Sequence, residues 1–188
     1  MSSPSEQLQF QSDTLRDLMA GVKSDQWDAS TPCAKWTVRD LAAHLVGGGT
    51  VFAASFRGET IAAGEDGEMP DLLGDDPAAA LGRVLADFES SADSPGAMER
   101  EVTLPFATLP AQVALDIAKF DLLMHAWDLA RATGQPFDPP ADVVVEARQT
   151  AEMIVDGLRD GDTFGNAIQA PANASPIDQL AAFTGRSI

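Results

Sequence analysis

Apolar residues recur at intervals of three and four along most of the chain, the spacing that places them on one face of an α-helix. In the first such segment they are Leu8, Leu15, Leu18, Met19 and Val22. Together with the positions of proline and glycine, this spacing predicts six helices. They cover about 5–23, 38–56, 78–90, 111–133, 141–158 and 177–183.

Two of these helices carry boundary signals. Thr37 is placed to cap the N-terminus of the second helix. Asp40, three residues later, is placed to accept a hydrogen bond from the Thr37 backbone in return, as in a capping box. The helix from 111 to 133 is expected to end at Gly134, because glycine is common just past a helix C-terminus and Pro136 follows.

The segments between the helices complete the expected fold. Residues 102–110 alternate and contain two prolines, which predicts an extended segment or a hairpin. Residues 58–76 are acidic and glycine-rich, which predicts a mobile crossover and not a domain boundary. We therefore expect an all-α bundle with one long crossover. One domain would span 1–188, with 136–188 as a helical extension packed on the bundle.

Charge narrows the classes of function. The 188 residues include 29 acidic and 12 basic side chains, for a formal net charge of -17. Such a field repels nucleic acid and anionic membranes, so neither is an expected partner. The single cysteine excludes an internal disulfide, and no apolar run approaches membrane-spanning length. These features lead us to expect a soluble cytoplasmic protein.

The chain has only two histidines, and each follows an aspartate by four residues: Asp40 and His44, then Asp121 and His125. Residues four apart lie on the same helix face. Each pair therefore directs an imidazole and a carboxylate into one region, a ligand set that suits zinc, nickel or iron. The alternative is that both histidines are ordinary core or capping residues, and spacing alone leaves both interpretations open.

Several neighbouring residues also have two interpretations. Asp40 competes as a ligand, although its position in the first helical turn favours capping. Asp128 lies three residues after His125 and either orients that imidazole or pairs with Arg131 on the surface.

Cys33 precedes a helix N-terminus, as a reactive thiol would, but a buried structural thiol is the preferred interpretation. The three glycines at 47–49 follow His44 closely. They either leave room for a ligand beside it or allow close packing of helices, and we favour packing.

Four segments resemble the DinB-like superfamily, and within it the N-terminal domain of mycothiol-dependent maleylpyruvate isomerases and related short actinobacterial proteins. They are TPCAKWTVRDLAAHLVGG at 31–48, LPFATLP at 104–110, FDLLMHAWDLARATG at 120–134 and LAAFTGR at 180–186. The likeness spans most of the chain.

This resemblance implies a four-helix bundle in which His44, Asp121 and His125 bind a divalent metal, with mycothiol as a co-substrate. The isomerases have Glu where this chain has Asp121, so the ion would sit closer to that helix or be bridged by water. They also carry a further C-terminal domain with an arginine important for activity, and the residues after Pro136 do not resemble it.

Two hypotheses follow. In the first, the chain is a metal-dependent enzyme whose open His/Asp/His site, holding zinc or nickel, activates a thiol or water for transfer to, or isomerisation of, a small electrophilic substrate. In the second, it is a non-catalytic bundle that binds a small molecule or another protein and whose metal site is degenerate. Either hypothesis allows a homodimer.

Overall fold

The computed structural model describes residues 3–33, 35–59, 73–159 and 163–188. This part of the chain forms six α-helices and one two-stranded sheet, and a 3₁₀ turn at Asp156–Leu158. The elements are α1 (Pro4–Ala20), α2 (Val38–Arg57), α3 (Pro77–Ala92), β1 (Glu101–Leu104), β2 (Ala107–Pro110), α4 (Ala111–Thr133), α5 (Ala141–Ile154) and α6 (Pro176–Phe183). The prediction of a mainly helical protein is confirmed.

Most predicted boundaries agree with the structure to within two or three residues. The Thr37–Asp40 capping box at the start of α2 is confirmed, and α4 ends at Gly134, which takes the left-handed conformation. The first helix stops at Ala20, just before Gly21, and does not reach residue 23. The helix predicted to reach 158 ends at Ile154, because the chain tightens into the 3₁₀ turn that contains Gly157.

The predicted hairpin is also confirmed. Strands β1 and β2 are antiparallel, with Val102 opposite Leu109 and Thr103 opposite Thr108. Val102 and Leu104 alternate with exposed residues and point into the core, which anchors the hairpin. Because α4 begins directly after β2, the hairpin sets the start of the helix that carries Asp121 and His125.

Helix α4 lies between two apolar clusters. On one side α1 and α2 each contact both α3 and α4, and their apolar faces form the larger core. On the other side α5 packs on α4 and α6 packs on α5. The second cluster includes Phe120, Trp127 and Leu180.

The predictions of an acidic crossover and of no membrane-spanning segment are addressed by the described residues only in part. The acidic crossover at 58–76 falls largely on residues 60–72, which lie outside the described residues. No helix in the described ranges is long and apolar enough to cross a membrane.

The C-terminal segment is held against α5 by arginine contacts. The Arg159 guanidinium donates hydrogen bonds to the backbone carbonyls of Gly165 and Phe183. The Arg148 guanidinium lies 4.0 Å from the centre of the Phe183 ring. Gly185 has a φ of +89°, and a Cβ there would lie 2.7 Å from the Cα of Gly165. The chain therefore requires glycine at 185.

We predict that Gly185→Ala lowers the free energy of unfolding by about 1–3 kcal/mol, because the added methyl group combines a strained backbone with a steric clash. Denaturant unfolding followed by circular dichroism measures the change. The matched control is Gly82→Ala in α3, where a Cβ meets no atom within 4 Å. The control should keep or gain stability, by up to about 1 kcal/mol. Wild-type stability for Gly185→Ala would contradict the analysis.

Candidate metal centre

The structure brings together the three residues that the sequence proposed as ligands. His44 comes from α2, and Asp121 and His125 come from α4, four residues apart on one face. The His125 Nε2 atom is 3.3 Å from Asp121 Oδ1, and the His44 Nε2 atom is 3.7 Å from Asp121 Oδ2. One ligand atom from each residue lies within 4.8 Å of the others.

The clearest feature of this cluster is the His44 Nε2 atom. It is buried and has no hydrogen-bond partner in the part of the chain that the structure describes, although about a third of the side chain is exposed. Buried polar atoms without a partner cost free energy and are rare in folded proteins. A nitrogen lone pair beside a carboxylate and a second imidazole fits a divalent cation, since two imidazoles and one carboxylate are a known catalytic ligand set. The residues present therefore fit a metal ion.

The other nitrogen of His125 is held from the opposite side. Its Nδ1 atom is 3.0 Å from Asp128 Oδ2, and the Asp128 side chain has no exposed surface. The carboxylate accepts, so Nδ1 carries the proton and donates it. The other ring nitrogen, Nε2, faces Asp121. Metal-binding histidines have the same arrangement: one ring N–H donates to a carboxylate, and the other nitrogen faces the metal. Of the two interpretations of Asp128, the structure supports the orienting one, because Arg131 lies 3.5 Å from Asp178 instead.

Arg186 is a residue of this cluster that sequence analysis missed. Its Nε and Nη2 atoms donate to the two oxygens of Asp128 at 2.8 and 2.9 Å. Arg186 is 58 residues from Asp128 along the chain and only 8% exposed. The sequence signal was faint: a glycine and an arginine after the last helix.

Acidic and basic side chains alternate across the site, in the order Asp121, His125, Asp128 and Arg186. Burial alone would raise the pKa of Asp121, but the charge and hydrogen bond of His125, with a smaller contribution from His44, hold it well below its ordinary value. Burial alone would lower the pKa of His125, but Asp121 and Asp128 raise it well above the ordinary value. Burial likewise opposes the ionisation of Asp128, yet His125 and Arg186 bring its pKa down to about 2. Asp128 is therefore a permanent anion near neutral pH.

The loop before α2 adds a thiol and an aromatic wall. Cys33 Sγ donates to Asp128 Oδ2 at 3.1 Å and lies 4.0 Å from His125 Nδ1. The Trp36 ring centre is 4.6 Å from that of His44 and 5.7 Å from that of His125. Thr31 ties the loop together by donating to the Trp36 carbonyl and accepting from the Cys33 backbone N–H.

This placement corrects the expectation for Cys33. The thiol is half-buried and not buried as expected, and it donates a hydrogen bond to Asp128 beside the site. Sequence spacing offered no sign of the contact, because Cys33 and Asp128 are 95 residues apart.

The glycines at 47–49 all lie within α2, and they differ in surroundings. A Cβ on Gly49 would come within 3.1 Å of Val84 in α3, so close helix packing explains this glycine. A Cβ on Gly47 or Gly48 would meet no atom within 4 Å. These two follow His44 by three and four residues, on the same side of the helix. Close packing of helices, the favoured interpretation, therefore holds for Gly49, and for Gly47 and Gly48 the space for a ligand stays a prediction.

Residues 8–130 match the family described as the mycothiol maleylpyruvate isomerase N-terminal domain. The chain belongs to this family. Two uncharacterized proteins of Mycobacterium tuberculosis, MT0763 of strain CDC 1551 / Oshkosh and Rv0738 of strain H37Rv, are each 35% identical to it over 178 residues. The match covers 94% of this chain and 93% of each relative. No solved structure matches the chain.

Asp40 provides a test of which acidic residues belong to the site. Its carboxylate accepts from the Thr37 backbone N–H and hydroxyl, and these hydrogen bonds lower its pKa below the ordinary value. We predict that Asp40→Asn lowers the melting temperature by about 1–3 °C, because it weakens the cap and removes a favourable charge at the helix N-terminus. Zinc affinity, measured by chelator competition, should stay at the wild-type value. Weaker zinc binding in Asp40→Asn would instead place Asp40 among the ligands.

Proposed function

We propose that this protein is a metal-dependent enzyme in which His44, Asp121 and His125 hold one divalent ion, zinc or nickel. The observation that carries the proposal is the buried His44 Nε2 atom, which has no hydrogen-bond partner among the described residues and lies 3.7 Å from Asp121 Oδ2 beside His125. Asp121 is shorter than the Glu of the isomerase pattern, yet its oxygens lie 3.3 and 3.7 Å from the two imidazole nitrogens. Direct ligation by Asp121 is therefore sterically reasonable.

The proposal also covers the arrangement of the helices and the extent of the domain. We assign α1 to α4 to a DinB-like four-helix bundle, since α1 and α2 each contact both α3 and α4. Residues 1–188 would form one domain, with 136–188 as a C-terminal extension in which α5 packs on α4 and α6 packs on α5. In such a bundle the core between facing helices is the common location of a metal site.

When bound, a divalent ion with two imidazole ligands and one carboxylate ligand lowers the pKa of a thiol or water at its open positions. The chain's own residues prepare that position. Asp128 fixes the direction of the His125 ring through Nδ1. Trp36 lies against both imidazoles. Gly47 and Gly48 leave open space about one turn from His44, and we propose that a small substrate binds there.

The family name favours a low-molecular-weight thiol such as mycothiol as the co-substrate. We propose that the activated thiol attacks a small electrophilic substrate, in a transfer or an isomerisation. The net charge of -17 argues against nucleic acid and anionic membranes as partners. A cytoplasmic location and a homodimer remain parts of the proposal.

The alternative is a non-catalytic bundle that binds a small molecule or another protein. One observation favours it: Asp121 and His125 form an ion pair at 3.3 Å, so the protein's own side chains already satisfy part of the site. A degenerate site would keep this pair and bind no metal.

We predict that the protein purified without a histidine tag contains about one equivalent of divalent metal per chain, measured by elemental mass spectrometry. His44→Ala and His125→Ala should lose both the metal and thiol-dependent activity, because each removes one of three ligands. Asp116→Asn is the matched control. It alters an acidic residue of α4 that contacts Gln112 and Lys119 outside the site, so it should keep the metal.

Full metal content in the histidine variants would overturn the proposed ligand set. Metal-free wild-type protein, even after incubation with zinc, nickel and iron under reducing conditions, would favour the non-catalytic alternative.

We predict that Gly48→Ala separates stability from ligand binding. The added methyl group meets no protein atom, so the helix should gain up to about 1 kcal/mol and the melting temperature should rise by about 2–4 °C. The same methyl group projects into the space beside His44, so the KM for the thiol should increase. Gly82→Ala in α3 is the control, with a similar gain in stability and an unchanged KM. An unchanged KM in Gly48→Ala would show that the ligand does not occupy this space.

A further inference from the structure

Asp128 is a buried carboxylate that accepts four hydrogen bonds from the described residues. Its Oδ1 accepts from Arg186 Nε at 2.8 Å. Its Oδ2 accepts from Arg186 Nη2 at 2.9 Å, from His125 Nδ1 at 3.0 Å and from Cys33 Sγ at 3.1 Å. Arg186 therefore supplies two of these four hydrogen bonds, and among the described residues it is the one donor to Oδ1.

The arginine contact fixes the orientation of the carboxylate as well as balancing its charge. Two parallel N–H donors on a planar guanidinium bind both oxygens and define the plane of the carboxylate. Lysine carries the same charge but has no such fork. With Arg186 in place, Oδ2 points at His125 Nδ1. Without it, His125 and Cys33 would still bind Oδ2, but among the described residues no donor would hold Oδ1 and fix the plane of the carboxylate.

Arg186 is itself held rigidly by the turn after α6. Its Nη1 donates to Thr184 Oγ1 at 2.9 Å, and that hydroxyl donates to the Ala181 carbonyl at 2.8 Å. The Arg186 backbone N–H also donates to the Ala181 carbonyl, at 3.0 Å. Gly185 packs directly on Gly165, which leaves no room for a side chain at this point of the turn.

We propose that Arg186 is a positioning residue of the metal site, which acts through Asp128 to hold the His125 imidazole with Nε2 directed at the ion. This inference rests on the proposed function, and it extends the site beyond the family-matched range of 8–130 to the C-terminal turn. Among the described residues, no hydrogen bond joins Arg186 to Asp121 or His44. Its charge also acts on Asp121 through space, but its orienting effect on His125 is relayed through Asp128.

The test compares Arg186→Lys and Arg186→Met with Arg159→Met. Arg159 holds the same C-terminal segment through the carbonyls of Gly165 and Phe183, and its contacts do not include Asp128. It therefore controls for simple loosening of the segment. Three quantities are measured on untagged protein: the zinc Kd by chelator competition, the melting temperature, and the long-range ¹H–¹⁵N spectrum of the histidine rings without metal. With only two histidines in the chain, His44→Ala assigns that spectrum.

We expect both Arg186 variants to weaken zinc binding by about tenfold or more, the effect usual for the loss of a partner that orients a ligand. The His125 Nδ1 resonance should shift or broaden in both. Arg159→Met should lower the melting temperature at least as much as Arg186→Lys while keeping the wild-type Kd and histidine spectrum. Thr184→Val, which removes only the hydroxyl beside Nη1, should show a smaller change in the same direction and provides a variant that folds if Arg186→Met does not.

Wild-type Kd and histidine spectra in Arg186→Lys would overturn the proposal, as would equal changes in Arg159→Met. If the wild-type protein binds no zinc, the proposed metal site fails. The metal-free spectrum still decides whether Arg186 controls His125 through Asp128, so the two failures are distinguishable.

Discussion

The charge of Asp128 is the constraint on which the site depends. This carboxylate has no exposed surface, and removing such a group from water costs several kcal/mol unless charged and polar donors surround it. The donors come from three separate parts of the chain: Cys33 before α2, His125 on α4 and Arg186 after α6. The hydrogen bonds to this one buried charge therefore join the loop before α2, helix α4 and the turn after α6.

Helix α4 can carry this charge because it is enclosed by apolar packing. One side faces the core shared with α1, α2 and α3, and the other faces the cluster formed with α5 and α6. Asp121, His125 and Asp128 interrupt the apolar surface at spacings of four and three, so they form a single polar stripe. The low-dielectric surroundings strengthen each interaction within the stripe and penalise any polar atom left unpaired. The His44 Nε2 atom, which has no hydrogen-bond partner among the described residues, is therefore an exception to the pairing of buried polar atoms in the site.

Sequence reasoning was successful where an interaction lies within one helix. The Thr37–Asp40 cap, the end of α4 at Gly134 and the shared face of Asp121 and His125 all follow from spacings of three or four residues. It placed His44 near them only through the resemblance and through the scarcity of histidine. It was wrong about the burial of Cys33, and left the roles of Asp128 and of the glycines at 47–49 open, because each depends on what another segment places beside them.

The sequence by itself determined the helices, the hairpin, the family and the pair on α4, because local periodicity and caps act over a single turn and leave a visible pattern. Tertiary structure alone decided that His44 faces Asp121, that its Nε2 has no hydrogen-bond partner among the described residues, and that Trp36 lies against both imidazoles. It also decided that Arg186 meets Asp128 across 58 residues. Such contacts arise from how helices pack and where a terminal turn docks, and no spacing rule within one segment encodes them.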